Sequence, residues 1–333
     1  MSAHRWVSPL RYPGGKVRMT PWLVELFQHL DGPMDVELWL EPFGGGAGAA
    51  LMALEAHGVP EAWIIEANPA LAAFWTTLMS DGGRLAARVE RTVPTLEAFD
   101  GARELVAAAL RGEEGLDREE LAFGALLMNR CSRDGMVHPR SGPIGGRHQT
   151  GKYTVASRFD GPRLAHRLRA VTALGSRFRP VDGDGIAHIE QLAGSGLEHE
   201  AFVFADPPYL GAGNSLYGRG MDLSAHQRLA AALRGCASPW ALTYDAHPLV
   251  LELYRDHRVA EFSTTHTTHH RKDGVEYLVS PPHLHVPARN PMGSGECRVV
   301  AEQAAHPDPQ MLRSRTTRPD SRTGTTITEG DRP

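Results

Sequence analysis

The 333 residues are 41% hydrophobic and 22% charged, with a formal net charge of −4. That balance describes a globular chain long enough for one large α/β domain and an inserted or appended second one. No stretch approaches the roughly 18 apolar residues of a membrane span, and Met1–Trp6 lacks the apolar core of a signal peptide. Cys131, Cys236 and Cys297 are too few and too scattered for a disulfide framework or a cysteine metal site, so a cytoplasmic protein with reduced thiols is expected. The net charge does not advertise nucleic acid, but a net value hides local patches.

In chain order, Ser8–Lys16 is a turn-prone loop with an aromatic ring, Tyr12, and a lysine that follows two glycines. Backbone without side chains lets Lys16 approach an anionic ligand closely, although an ordinary loop leading into a helix has the same composition. A helix follows from Pro21 through Trp22, Leu23, Leu26, Phe27 and Leu30. Val36–Leu40 reads as a strand, Glu41–Gly48 as a glycine turn and Ala49–His57 as a helix, the nucleotide-binding opening of a doubly wound sheet. The next strand, Ala62–Ile65, ends in Glu66, some 20 residues past the glycines, where an acidic residue accepts from ribose hydroxyls. Gly44-x-Gly46-x-x-Ala49 also fits a dinucleotide fingerprint, which keeps a nicotinamide enzyme in view, and glycines that merely allow tight packing are a third reading. Asn68-Pro69 then starts a helix through Leu78.

From Arg84 to about Pro180 the strand pattern disappears. Leu85–Leu110 and Leu116–Met128 have helical patterns, Asn129–Pro162 is loop-rich, and Arg163–Leu174 is again helical. Between Asn129 and Pro180 eleven basic side chains face two acidic ones, a local charge of +9. A solvated surface usually mixes both signs, so this one-sidedness points to a phosphate backbone.

Strand character returns at Phe178–Val181, ending in Asp182-Gly183-Asp184-Gly185, and a helix runs on through Ile189 and Leu192. The apolar run Ala201–Ala205 reads as a buried strand stopped by Pro207 and Pro208, which have no N–H to continue a ladder. Gly211–Gly220 is a glycine-rich loop, and Ser224 is the expected cap of the helix that follows. Trp240–Tyr244 is a further strand, and Pro248 opens a helix toward Tyr254. Val259–Phe262 and Glu276–Val279 form a closing antiparallel pair, with a mobile connection carrying His266, His269 and His270. A metal site there lacks supporting carboxylates, and none is expected. From about Pro287 the absence of periodicity predicts a disordered tail.

The glycine loop, Glu66, the Asp182/Asp184 turn and Asp206 all fall at carboxyl ends of predicted strands, and in a doubly wound sheet these line one crevice. The loop and Glu66 suit the amino-acid and ribose parts of a nucleoside cofactor, and Asp184 is placed to accept from an adenine amino group.

These motifs resemble those of the Dam-type DNA adenine-N6 methyltransferases, which use S-adenosylmethionine. The resemblance runs from about Ser8 to Leu284. Arg11-Tyr12-Pro13-Gly14-Gly15-Lys16 is similar to the family's aromatic-x-Gly-Gly-Lys opening, and Glu41-Pro42-Phe43-Gly44-Gly45-Gly46 to its cofactor loop. Glu66-Ala67-Asn68-Pro69 is similar to its Asp-x-Asn-x segment, with Glu for Asp, and Asp206-Pro207-Pro208-Tyr209 matches its catalytic tetrapeptide. The resemblance implies that Tyr12, Lys16, Glu66 and Asp206 contact the cofactor, beside Phe43, Gly44, Gly46 and Asp184. It also implies a Rossmann-like methyltransferase domain over residues 1–83 and 175–286, with a mainly helical target-recognition insert over 84–174 and a tail over 287–333. The family's Asn-Arg-x-x-Phe-Asn-Gly segment becomes Asn129-Arg130-Cys131-Ser132-Arg133-Asp134-Gly135 here. The aromatic and amide that read bases are gone, so the usual GATC target does not carry over.

The expected chemistry is direct methyl transfer to adenine N6 in duplex DNA, by a solitary modifier or one paired with a restriction enzyme. Asp206 and the Pro207 carbonyl accept the two N–H bonds of the amine, positioning and electrostatics supply the acceleration, and Tyr209 stacks on the flipped base. Pro208 makes the turn rigid. No metal takes part. Arg130, Arg133 and Lys152 are the expected DNA contacts. Methylation of cytosine N4, RNA or a protein glutamine, and a catalytically degenerate DNA-binding module, are the alternatives.

Overall fold

The run Ala201–Ala205 forms strand β4, and all five of its residues are buried. A strand with no polar face must be covered on both sides, the condition of a central strand in a parallel sheet. The computed structural model describes residues 8–12, 14–28, 36–210, 221–267, 271–293 and 295–302, all within one compact unit, Met1–Gln303. The other strands are β1 (Leu38–Glu41), β2 (Glu61–Glu66), β3 (Phe178–Asp182), β5 (Trp240–Asp245), β6 (Arg258–Thr267), β7 (Arg271–Ser280) and β8 (Cys297–Ala301). They form one sheet in the order β3-β2-β1-β4-β5-β7-β6-β8. The first five in that order are parallel; β7, β6 and β8 each run antiparallel to the neighbour before them. This is a doubly wound, Rossmann-like sheet with an antiparallel edge. Its strand order reverses between β1 and β4, so the loops after these two strands diverge and leave a crevice.

Helices cover both faces. In chain order they are α1 (Thr20–Gln28), α2 (Gly48–Ala56), α3 (Pro69–Arg91), α4 (Leu96–Arg111), α5 (Arg118–Cys131), α6 (Gly161–Thr172), α7 (Gly185–Leu192), α8 (Leu223–Arg234) and α9 (Pro248–Leu253). Alternate strand residues serve opposite cores. Trp39, Ile64, Phe202 and Phe204 pack with α1 to α6, while Leu38, Leu40, Val203 and Leu242 pack with α7 to α9.

The helices α4 to α6 lie between α3 and β3 in the chain, and both α5 and α6 pack on α3. α3 passes through Arg84, where the insert was expected to begin, and kinks at Asp81 (φ −144°, ψ 44°) just before Gly82. A Cβ on Gly82 would stand 2.0 Å from Thr172 Oγ1 of α6, so the missing side chain sets how closely the two helices approach. The single helix expected over Leu85–Leu110 is two. Pro94 disfavours the helical conformation at Val93, α3 stops at Arg91, and Thr95 caps α4 by accepting from Ala98 N.

Three expectations for the C-terminal part are corrected. Asp222, not Ser224, caps α8, accepting from Ala225 N; its carboxylate sits at the position where the first helical N–H groups converge. The closing pair runs ten residues on each side, from Arg258 paired with Ser280 to Thr267 paired with Arg271. His266 therefore belongs to β6 rather than to a connection, while His269 and His270 lie outside the described residues, and no metal-binding cluster occurs among the described residues. The tail expected from Pro287 begins instead with ordered chain. Cys297–Ala301 forms β8, because β6 offers it an edge of unpaired backbone groups. The remainder, residues 303–333, lies outside the described residues. Among the described residues no helix is long and apolar enough to cross a membrane, and the three cysteines are free.

Candidate active site

The crevice at the strand-order reversal opens into a cleft of about 1040 Å³. Its floor is the loop that follows β1. Gly44 N donates to Ile65 O at 2.8 Å, Gly45 N donates to the Glu66 carboxylate at 2.7 Å, and Trp75 Nε1 of α3 donates to Gly45 O at 2.9 Å. Glu66 also accepts from Asn68 N at 2.7 Å, so each carboxylate oxygen takes one backbone N–H. Burial pushes the Glu66 carboxyl up to about 7, against the lowering effect of those two hydrogen bonds. Tyr12 lies over this loop. A Cβ on Gly46 would stand 2.7 Å from Tyr12 Cβ, so glycine is needed there for the aromatic ring to close on the backbone.

Across the cleft, at the end of β4, Asp206 begins the proline-rich turn. Thr243 Oγ1 of β5 donates to Asp206 Oδ1 at 2.6 Å. Lys16 Nζ contacts both oxygens, at 3.1 and 3.2 Å, and also donates to Tyr209 OH at 2.8 Å and Gly14 O at 2.9 Å. The same ammonium is 3.5 Å from Glu276 Oε2 of β7, and Tyr209 OH lies 2.9 Å from that atom and 3.2 Å from Asp206 Oδ1. The Lys16 and Glu276 side chains are each 4% exposed, whereas Asp206 is 27% exposed and faces the cleft. Burial disfavours the Lys16 ammonium, but the Asp206 and Glu276 carboxylates outweigh it and hold its pKa above the usual lysine value. The Tyr209 hydroxyl is pushed upward by burial and then by the same two carboxylates, so it is a neutral donor.

Further from the floor, Asp184 caps α7 by accepting from Ile186 N at 2.9 Å and pairs with Arg228 of α8. Behind the loop, Glu41 is 5% exposed and accepts from Trp39 Nε1 at 3.0 Å; burial raises its pKa to about 8.

Every residue expected around the cofactor lines this one cleft: Tyr12, Lys16, Phe43, Gly44, Gly46, Glu66, Asp184 and Asp206, with Pro207, Pro208 and Tyr209 beside them. The basic residues expected on the DNA are dispersed. Arg130 reaches the cleft wall but is spent on backbone, with Nε donating to Arg158 O at 3.0 Å and Nη1 3.5 Å from Pro9 O. Arg133 and Lys152 are exposed, the latter 5.7 Å from the ring of Tyr153.

Sequence reasoning missed Glu276 and Thr243. Glu276 sits in phase with buried Leu278 and Ser280 on β7, and a carboxylate on the apolar face of a strand was the available signal.

No family model matches the chain, and no curated protein does. Among solved structures it is similar to two of the rRNA methyltransferase aviRa from Streptomyces viridochromogenes. Identity is 17% and 16%, the TM-score 0.36 for both, and the match covers 82% and 84% of this chain and 89% and 93% of theirs. A likeness that weak leaves the chemistry of this chain to its own residues.

Proposed function

We propose that this chain is an S-adenosylmethionine-dependent methyltransferase acting on the exocyclic N6 amine of an adenine flipped out of duplex DNA. The observation that carries the reading is the placement of Asp206-Pro207-Pro208-Tyr209 directly across the crevice from the glycine loop, with Tyr12 and Glu66 on the loop side. The cradle fits such a donor. Gly46 leaves room for an aromatic ring over the backbone, Glu66 offers a half-buried carboxylate for ribose hydroxyls, and the cleft ends at an acidic acceptor. A nicotinamide enzyme would use the loop but leaves the acidic proline turn without a task.

S-adenosylmethionine supplies, when bound, an electrophilic methyl group on a positively charged sulfur. The protein's part is placement and charge. Asp206 and the Pro207 carbonyl accept the N–H bonds of the amine and turn its lone pair toward the methyl carbon. The new N–C bond forms as the methyl leaves sulfur, which keeps the bonding pair. The nitrogen, now cationic, gives up one proton to the acceptor in reach, Asp206. The rigid prolines hold this geometry, and Tyr209 limits how the base can enter.

The test is incubation with labelled methyl donor and unmethylated duplex DNA, followed by digestion and mass analysis of the nucleosides. N6-methyladenine is the expected product, and transfer to RNA or protein with none to DNA would overturn the reading. Asp206→Ala is expected to lower transfer by on the order of 10²–10³-fold, the scale for loss of a transition-state contact, while DNA affinity stays within about twofold.

A further inference from the structure

We infer that Glu276, on β7, is a positioning residue that shares Lys16 with Asp206 and takes the Tyr209 hydroxyl, so that the cluster presents net negative charge to the reacting amine. The inference rests on the proposed methyl transfer for its consequence, but its structural half stands apart from it.

Lys16 is one cation between two carboxylates, 3.1 Å from Asp206 and 3.5 Å from Glu276. Were Asp206 its sole acidic neighbour, the pair would be neutral. A neutral pair offers little to a nitrogen that gains positive charge as the methyl arrives. With Glu276 included, these three groups carry one negative charge, which favours a positive centre in the cleft and strengthens as water is excluded.

The hydrogen-bond count points the same way. Tyr209 OH accepts from Lys16 and has one proton to give. Its nearer acceptor is Glu276 Oε2 at 2.9 Å, rather than Asp206 Oδ1 at 3.2 Å, which already takes the Thr243 hydroxyl at 2.6 Å. Directing the Tyr209 proton to Glu276 spares Asp206 Oδ1, which already has Thr243 and Lys16, a further donor, while Oδ2 is approached by Lys16 at 3.2 Å and the side chain faces the cleft. The register explains how Glu276 gets there. On β7 it pairs with Asp245 of β5, two residues beyond Thr243, so the antiparallel strand carries it to the turn after β4. Tyr209, Asp206 and Lys16 face it directly, Asp245 stands beside it across the strand pair, and Glu41 lies near Asp206.

The first measurement needs no substrate. The chain has three lysines, Lys16, Lys152 and Lys272, so carbon-13 lysine labelling of the full chain gives three resonances, and Lys16→Met assigns one. Lys16 is expected to titrate above the ordinary lysine value of about 10.4, and at lower pH in the isosteric Glu276→Gln. An unchanged Lys16 titration in that variant would overturn the inference whatever the protein methylates.

The second measurement uses the acceptor on which the wild type is active. Glu276→Gln is expected to lower kcat at least about tenfold, with KM for donor and acceptor within about twofold. Lys16→Met added to Glu276→Gln, which restores one net negative charge among the three positions, is expected to recover part of the loss in kcat when read at saturating donor, where weaker donor binding through Lys16 does not enter. A full-speed Glu276→Gln, or a double variant no faster than it, counts against the inference. A wild type that methylates nothing sinks the functional reading instead, and the lysine titration then decides the role of Glu276 by itself.

Discussion

Two carboxyls at the glycine loop, Glu41 buried and Glu66 half-buried, make the site pH-sensitive in a direction opposite to most acidic residues. Burial raises Glu41 to about 8 and Glu66 to about 7, against an ordinary 4.5. Between those values the folded chain holds protons that the unfolded chain has released. The associated stability is therefore full below about pH 4.5 and is lost as pH rises through 7 and 8. Glu41→Gln keeps an acceptor for Trp39 Nε1 but cannot ionise. At roughly 1.4 kcal/mol per pKa unit, the variant is expected to gain on the order of 2 kcal/mol relative to wild type between pH 5.5 and pH 8. Urea denaturation at both pH values measures this. Taking the difference between the two proteins cancels the buried histidines His226 and His257, whose burial-lowered pKa values act with the opposite sign. A difference that does not change with pH would mean that Glu41 ionises as it does in the open chain.

At the scale of elements, one amide ties α5 to the loop that carries Tyr12 and Lys16. Asn129, at the end of α5, is fully buried; its Oδ1 accepts from Arg11 N at 2.7 Å, and its Nδ2 donates to Arg11 O at 2.7 Å and Gly135 O at 2.6 Å. It thus takes the place of a strand partner for the residue before Tyr12. Removing it strands three buried backbone groups, each worth about 1–3 kcal/mol when unpaired. Asn129→Ala is expected to cost about 2–4 kcal/mol in denaturant unfolding and to weaken methyl-donor binding through Tyr12 and Lys16. Calorimetric titration of donor into a variant still folded at low temperature reads the second effect, and unaltered affinity would separate the loop from the insert. The Asn129-Arg130 pair was legible in the sequence, but as the remnant of a target-recognition segment; nothing in a linear pattern says that an amide pairs with residue 11. The central parallel strands β1, β4 and β5 were legible because burial on both faces leaves apolar runs. β8 was not, because Val299 and Val300 lie on a half-exposed edge among prolines and glycines. Glu276 was hidden for a related reason: its partners come from the residue 16 loop and the turn after β4, and only the sheet order brings the three together.

For the whole molecule the question is how much of the +9 segment is available to a phosphate backbone. Arg147 makes two 2.8 Å hydrogen bonds to Asp100, Arg169 pairs with Glu90, Arg177 donates to the carbonyls of Leu54, Val59 and Pro60, and Arg179 stacks on Trp63. These four, and Arg130 on its carbonyls, hold the fold together. A second group, which Arg130 also joins, is pressed together, with Asp134 near Arg11 and Asp160 near Arg167 as its acidic neighbours. Arg130 is lowered to about 10 by burial first and then by Arg11, Arg167 and Arg158; Arg167 is lowered by burial and then by Arg163. Arg11 and Arg130 line the cleft, so one end of this crowd of like charges reaches its wall. Like charges held together against their repulsion gain most from an anion laid across them, and each phosphate neutralised releases about 0.9 counterion. Arg158→Ala and Arg163→Ala are therefore each expected to reduce the salt slope of duplex DNA binding by about one, while Arg147→Ala and Arg169→Ala leave it unchanged. Fluorescence anisotropy between 50 and 300 mM salt gives the slopes. Equal losses from all four variants would mean that the charge acts as a diffuse field, and that the segregation of paired from crowded arginines has no bearing on how the substrate is held.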